Sequence, residues 1–132
     1  MSTLIDTSAI LALLDGDDRN HATANRLWQK ILAEGETLVC TSYVISETCA
    51  LVQRRLGMEP VRFFLETMTP VFDIVWIDST LHAVAASLFL LANRRSLSLV
   101  DCTSFVVMRQ RNLTTALAFD QHFESQGFKC LR

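Results

Sequence analysis

Four acidic residues, Asp6, Glu47, Asp101 and Asp120, stand where carboxylates can act together. Asp6 and Asp120 each follow a short apolar run, Thr3-Leu4-Ile5 and Leu113-Thr114-Thr115-Ala116-Leu117-Ala118-Phe119, of the kind that forms a buried strand. Glu47 lies in a helical segment flanked by Tyr43-Val44-Ile45-Ser46 and Thr48-Cys49-Ala50-Leu51-Val52, apolar enough to be largely buried. Asp101 stands three residues after Ser98, at the start of another helix. Taken singly, three of them have a structural explanation: aspartate at a strand-to-helix junction caps the helix, and Ser98 with Asp101 fits a capping box. Taken together, all four can face one rim of a parallel sheet. Carboxylates about 4 Å apart repel by about 4 kcal/mol at an effective dielectric of about 20, so such a group requires cations or protons. An all-oxygen donor set selects Mg²⁺ or Mn²⁺ rather than Zn²⁺, and no Cys/His set has tetrahedral zinc spacing. The chemistry implied is metal-assisted hydrolysis of a phosphodiester.

The elements that must position these acids alternate between strand and helix. Thr3 to Ile5 predicts a first strand, and the continuous Ala9-Ile10-Leu11-Ala12-Leu13-Leu14 a buried helix. Residues 15–20 read as a polar loop, and its acids fail the EF-hand pattern because Arg19 takes a ligand position. A helix from His21 to Ala33 leads to a strand at Thr37–Thr41 and to a helix that Ser42 opens and Gly57 ends. Further helices are predicted over Pro60–Met68, Leu81–Asn93 and from Ser98 to about Gln110, with strands at Val71–Ile77 and Leu113–Phe119. Gln121–Gln126 reads as a helical turn and Phe128–Leu131 as a last edge strand. This order predicts an α/β fold, a three-layer α/β/α sandwich around a central, mainly parallel sheet of four to five strands. Ligands bind such sheets at the carboxyl ends of the strands, where Asp6 and Asp120 fall.

The 132 residues suit one domain, 1–132, with 50% hydrophobic and 20% charged residues. A net charge of -2 excludes a generally basic nucleic-acid binder, so contact with nucleic acid must come from local cations or bound metal. The four cysteines show no C-x-x-C spacing and read as reduced thiols. Without a basic segment before the first apolar run, or an apolar stretch long enough to span a bilayer, the expectation is a soluble cytoplasmic protein.

At four places in order the chain resembles the PIN-domain ribonucleases, particularly the VapC-type toxins of bacterial toxin–antitoxin pairs. These are Leu4-Ile5-Asp6-Thr7-Ser8-Ala9, Ser46-Glu47-Thr48, Leu99-Val100-Asp101-Cys102-Thr103-Ser104-Phe105, and Ala118-Phe119-Asp120-Gln121-His122-Phe123 with Gly127-Phe128 beyond it. Each motif is weak alone; four in register are specific for the superfamily. The resemblance implies that Asp6, Glu47, Asp101 and Asp120 form a catalytic Mg²⁺ or Mn²⁺ site, with Ser8 supporting it through its hydroxyl. It also implies RNA as substrate, cleavage to a 5′-phosphate and a 3′-hydroxyl, a homodimer, and a small antitoxin as a possible partner.

Among other residues, Arg54, Arg55 and Arg62 beyond Glu47, and Arg94-Arg95 before Asp101, are candidates to contact phosphate, with a solvated surface as the competing reading. His122 could touch substrate or pack the last turn, Asp78 reads as a helix cap, and Trp28 and Trp76 are core candidates. A Ser8/His122 or Cys102/His122 nucleophile pair lacks a visible orienting group. Two alternatives compete with a metal-dependent endoribonuclease: a catalytically silent PIN-like module that binds RNA or protein, and a phosphoacceptor receiver domain, which would want a lysine where Asp120 stands.

Overall fold

The short apolar runs become five strands: β1 (Ser2–Ile5), β2 (Thr37–Thr41), β3 (Phe72–Val75), β4 (Thr115–Leu117) and β5 (Lys129–Cys130). They form one sheet in the order β3-β2-β1-β4-β5, and every neighbouring pair is parallel. The computed structural model describes residues 1–131.

Parallel neighbours need crossovers, and among the described residues seven α-helices occur: α1 (Thr7–Leu14), α2 (His21–Ala33), α3 (Ser42–Leu56), α4 (Met58–Phe63), α5 (Ser79–Ala92), α6 (Leu99–Gln110) and α7 (His122–Ser125). Successive side chains of a strand point to opposite faces, which divides the core in two. On one face Ile5 and Leu117 pack with Ile10 of α1, Leu27 and Ile31 of α2, Val44 of α3 and Phe64. On the other, Leu4 and Ala116 pack with Ala85 of α5, Phe105 and Met108 of α6 and Phe123 of α7. Phe105 and Phe123 meet edge to face at 5.1 Å, which ties the short α7 to α6. The result is the three-layer sandwich expected, with a five-stranded parallel sheet.

The strand order places the topological switch at β1 and β4. The chain first winds outward from β1 through β2 to β3, then crosses back to add β4 and β5 on the other side. Crossovers leaving β1 and β4 part in opposite directions, and the carboxyl ends of those two strands border an open crevice. Asp6 follows one and Asp120 lies just beyond the other; the Asp6 N–H donates to the Leu117 carbonyl at 3.1 Å.

Four sequence expectations differ from the fold, the simplest being the fourth strand, expected over Leu113–Phe119 and formed only over Thr115–Leu117. The helix expected over Pro60–Met68 starts at Met58, widens into a π-helical turn over Phe64–Met68, and continues as a 3₁₀ turn over Thr69–Val71 instead of stopping at Thr69-Pro70. The Thr69 N–H reaches back to the Phe64 carbonyl, and Pro70, with no N–H to continue the ladder, follows at once. The third strand is shorter than Val71–Ile77. It ends at Val75, and the Ile77 N–H donates to Ser42 Oγ at 3.0 Å instead of to a strand. Trp76 is therefore 72% exposed rather than in the core, whereas Trp28 packs edge-on against Phe72.

Among the described residues no helix is long and apolar enough to cross a membrane, and all four cysteines are free.

Candidate metal centre

Each acid at the crevice is fixed by hydrogen bonds at the start of a helix. Asp6 is the N-cap of α1: its Oδ2 accepts from the Ser8 N–H at 3.2 Å and from the Ser8 hydroxyl at 2.8 Å. Ser8 Oγ in turn accepts the Phe119 N–H at 3.0 Å, so one hydroxyl ties the Asp6 carboxylate to the chain leaving β4. Asp101 lies in the capping box of α6, its Oδ2 accepting the Ser98 N–H at 3.1 Å while its own N–H donates to Ser98 Oγ at 3.0 Å. Asp120 Oδ1 accepts the His122 N–H at 3.0 Å.

Two helix caps and the His122 N–H thus hold three carboxylates, each by only one oxygen. Carboxylate oxygens of Asp6, Asp101 and Asp120 lie within 4.8 Å of one another, with Asp6 buried and the other two half-buried. At 3% exposure Asp6 has little water to solvate its charge. Burial pushes its carboxyl well above the ordinary carboxylate range; Asp120, close enough to share a proton, and Asp101 push further, against the Ser8 hydroxyl. Burial likewise raises Asp101; the Ser98 contacts and His122 pull it down, and Asp120 pushes it up. The group fits a divalent cation: hard oxygen donors converge, and their burial and mutual repulsion are what a cation relieves.

Glu47 occupies the second turn of α3, half-buried, and is not part of the 4.8 Å group. Its carboxylate has no hydrogen bond or ion pair among the described residues. Arg54 and Arg55 fall in the last turn of α3, roughly 18 Å along the axis from its first residue. Arg62 pairs with Glu66 at 3.4 Å. Arg94 and Arg95 are exposed on the turn before α6 and line a groove with Phe89, Leu90 and Asn93. His122 lies close enough to Asp101 to stabilise its charge. Burial pushes all four thiols above their ordinary range, aided by Asp6 beside Cys40, by Asp101 beside Cys102 and by Asp120 and Asp6 beside Cys130, which disfavours a thiolate nucleophile.

Sequence reasoning missed the loop between α1 and α2. Residues 15–20, read as a solvated connection, approach the acids, and Asp18, Arg19 and Asn20 share an open groove with Ser8 and Asp120. Local sequence gives no signal of this.

The model of the PIN domain family matches residues 3–129. The chain belongs to the PIN-domain family. This PIN domain is 32% identical over 125 residues to the 23S rRNA-specific endonuclease VapC20 of Mycobacterium tuberculosis, a match spanning 94% of the chain and 93% of the relative. The crystal structure of VapC20, described as a sarcin–ricin loop cleaving toxin, superposes with a TM-score of 0.85 at 30% identity, covering 96% of this chain and 95% of that one. FitAcB from Neisseria gonorrhoeae, with a TM-score of 0.71 at 17% identity over 100% of this PIN domain and 97% of that chain, shares the fold. These matches place the protein with the VapC-type PIN domains.

Proposed function

We propose that this PIN-domain protein is a divalent-metal-dependent endoribonuclease, the toxin of a VapBC-type pair, acting on cytoplasmic RNA. The observation that carries the reading is the convergence of Asp6, Asp101 and Asp120 at the switch point of the sheet, each with one carboxylate oxygen left over from its cap. Those three would hold Mg²⁺ or Mn²⁺, with Glu47 of α3 as a fourth, outlying carboxylate. When bound, the ion supplies an activated water and offsets charge on the phosphoryl oxygens in the transition state. The protein's own part is positional. Ser8 fixes the orientation of Asp6, Ser98 that of Asp101, and the His122 N–H that of Asp120. His122, beside Asp101, and the exposed Arg94-Arg95 turn that precedes α6 are suited to meet an incoming phosphate.

The sarcin–ricin loop of 23S rRNA, the target of VapC20, is the first substrate to test. Incubation of the purified protein with that RNA is expected to give cleavage with Mn²⁺ and none with chelator, and Asp6→Asn to remain folded and inactive. Cleavage by Asp6→Asn at the parental rate would remove the metal-centre reading.

Two surfaces support the partners. The helix α5 is apolar on nearly all sides, yet Val84, Leu90 and Leu91 are exposed, which suits packing against a second copy. We expect Leu91→Glu to sediment as a monomer where the parent is a dimer. An apolar groove of about 350 Å³ lined by Leu14, Trp28, Phe63, Met68 and Val71 would accept an apolar antitoxin segment, and co-expression with a cognate antitoxin is expected to abolish cleavage.

A further inference from the structure

An open groove of about 630 Å³ runs beside the acid cluster, lined by Ser8, Leu11 and Asp120 together with Phe119, Arg19 and Asn20. Its charges are badly matched to an anionic substrate, since Asp120 and Asp18 both border it. Among the described lining residues Arg19 is the one cation. Arg19 stands in a loop containing Asp15, Asp17 and Asp18, yet it forms no ion pair with a described residue. Asp15 Oδ1 accepts the Asp17 N–H at 3.0 Å and Asp18 Oδ1 accepts the Asn20 N–H at 2.8 Å, so both acids are turned onto their own backbone. The Asp18 and His21 N–H groups, bonded to the Asp15 and Asp18 carbonyls, hold the loop in successive turns. An exposed guanidinium on a braced loop, paired with no described residue, is free to make the bidentate contact that phosphate favours.

We infer that Arg19 binds the substrate phosphate adjacent to the scissile one, making this groove a nucleotide subsite on the Asp120 side of the acid cluster. Phe119 and Leu11 offer apolar surface to the base, and the Asn20 amide offers hydrogen bonds to its edge. This rests on the ribonuclease reading above, because a phosphate chain must pass the acids for the neighbouring phosphate to reach Arg19.

The test is steady-state cleavage of a single-stranded oligoribonucleotide with Mn²⁺ at several salt concentrations. Arg19→Ala is expected to raise KM roughly tenfold with kcat nearly unchanged, since the contact is made equally in ground and transition states. The slope of log(kcat/KM) against log salt should become shallower by about 0.7, one phosphate contact on a single strand. Arg19→Lys should restore the slope and only part of KM. Lys30→Ala makes the same charge change near the far end of α2, which runs from this groove toward the start of β2, and should leave all parameters as in the parent. Melting temperature and Mn²⁺ affinity should be equal in Arg19→Ala and the parent. Unaltered KM and slope in Arg19→Ala, or equal losses in Arg19→Ala and Lys30→Ala, would overturn the subsite and leave the nuclease standing. A parent that cleaves no RNA would remove both.

Discussion

Asp6 and Asp78 do the same local work. Each follows the end of a strand, each has extended backbone, and each accepts an N–H from the first turn of the helix it begins: Ser8 for Asp6, Leu81 at 2.8 Å for Asp78. They differ in the strand before them. Asp6 leaves β1 at the centre of the sheet, where the winding reverses and β4 delivers Asp120 alongside; Asp78 follows β3 at the sheet edge and remains an exposed cap. A cap satisfies one oxygen of a carboxylate, so capping and metal binding are not alternatives. What separates them is whether topology brings other half-used carboxylates to the same place.

That comparison is tested most severely at the cluster. Asp101→Asn preserves an acceptor for the Ser98 N–H and removes one charge from the group of three. If the ion supplies several kcal/mol to the transition state, losing its hold lowers kcat/KM by roughly 10³-fold, at 1.36 kcal/mol per factor of ten. Cleavage assays on folded variant protein measure it, and a loss below tenfold would mean that Asp101 is a cap like Asp78. Glu47→Gln is expected to do less, about 10- to 100-fold, because its carboxylate lies outside the 4.8 Å group and would act as an outlying ligand. A loss as large as that of Asp101→Asn would place Glu47 in the direct coordination of the ion.

The raised pKa of Asp6 yields a stability test with a definite sign. Below the ordinary carboxylate range Asp6 is protonated in both folded and unfolded chains, and its burial carries no charge. As pH rises, the unfolded chain releases the proton first, while the fold retains it until pH passes the raised value; over that interval native stability falls. In Asp6→Asn the side chain stays neutral and asparagine caps a helix as well as aspartate. The melting temperature of the metal-free variant should therefore exceed that of the parent by a margin that widens with pH, about 4 °C for each kcal/mol of relieved repulsion. Saturating Mn²⁺ should close the gap by stabilising the parent alone. Parallel melting curves for parent and variant across pH would show that Asp6 is solvated and unstrained.

Much of this architecture is legible in the residues. The strand at Thr37–Thr41 and the helix from Ser42 to Leu56 appear where apolar runs and caps predict them, because Thr41 and Gly57 enforce both ends: Thr41 Oγ1 accepts the Val44 N–H, and Gly57 adopts φ 92. The acids at strand ends are legible for the same reason. The structure brings two of these together with Asp101 of α6, and the strand order that does so is a tertiary property that no local pattern contains. The π-turn at Phe64–Met68 and the exposure of Trp76 escape the sequence for a related reason. Periodicity marks an apolar residue without saying whether its strand is central or at an edge.

The smallest effect belongs to the lone cap. Asp78→Ala removes the acceptor for the Leu81 N–H and should cost about 1 kcal/mol of stability, the usual loss for an N-cap, with cleavage unaltered. Denaturant unfolding beside a cleavage assay measures both. The result matters most if it fails on the activity side. Ser42 Oγ accepts the Ile77 N–H, and Tyr43 bonds His82 on α5, so the start of α5 is tied to the start of α3, the helix that carries Glu47. A drop in kcat with Asp78→Ala would mean that the edge of the sheet adjusts Glu47 from a distance. The division between a structural acid at the edge and functional acids at the centre would then become a division between direct and relayed control of one site.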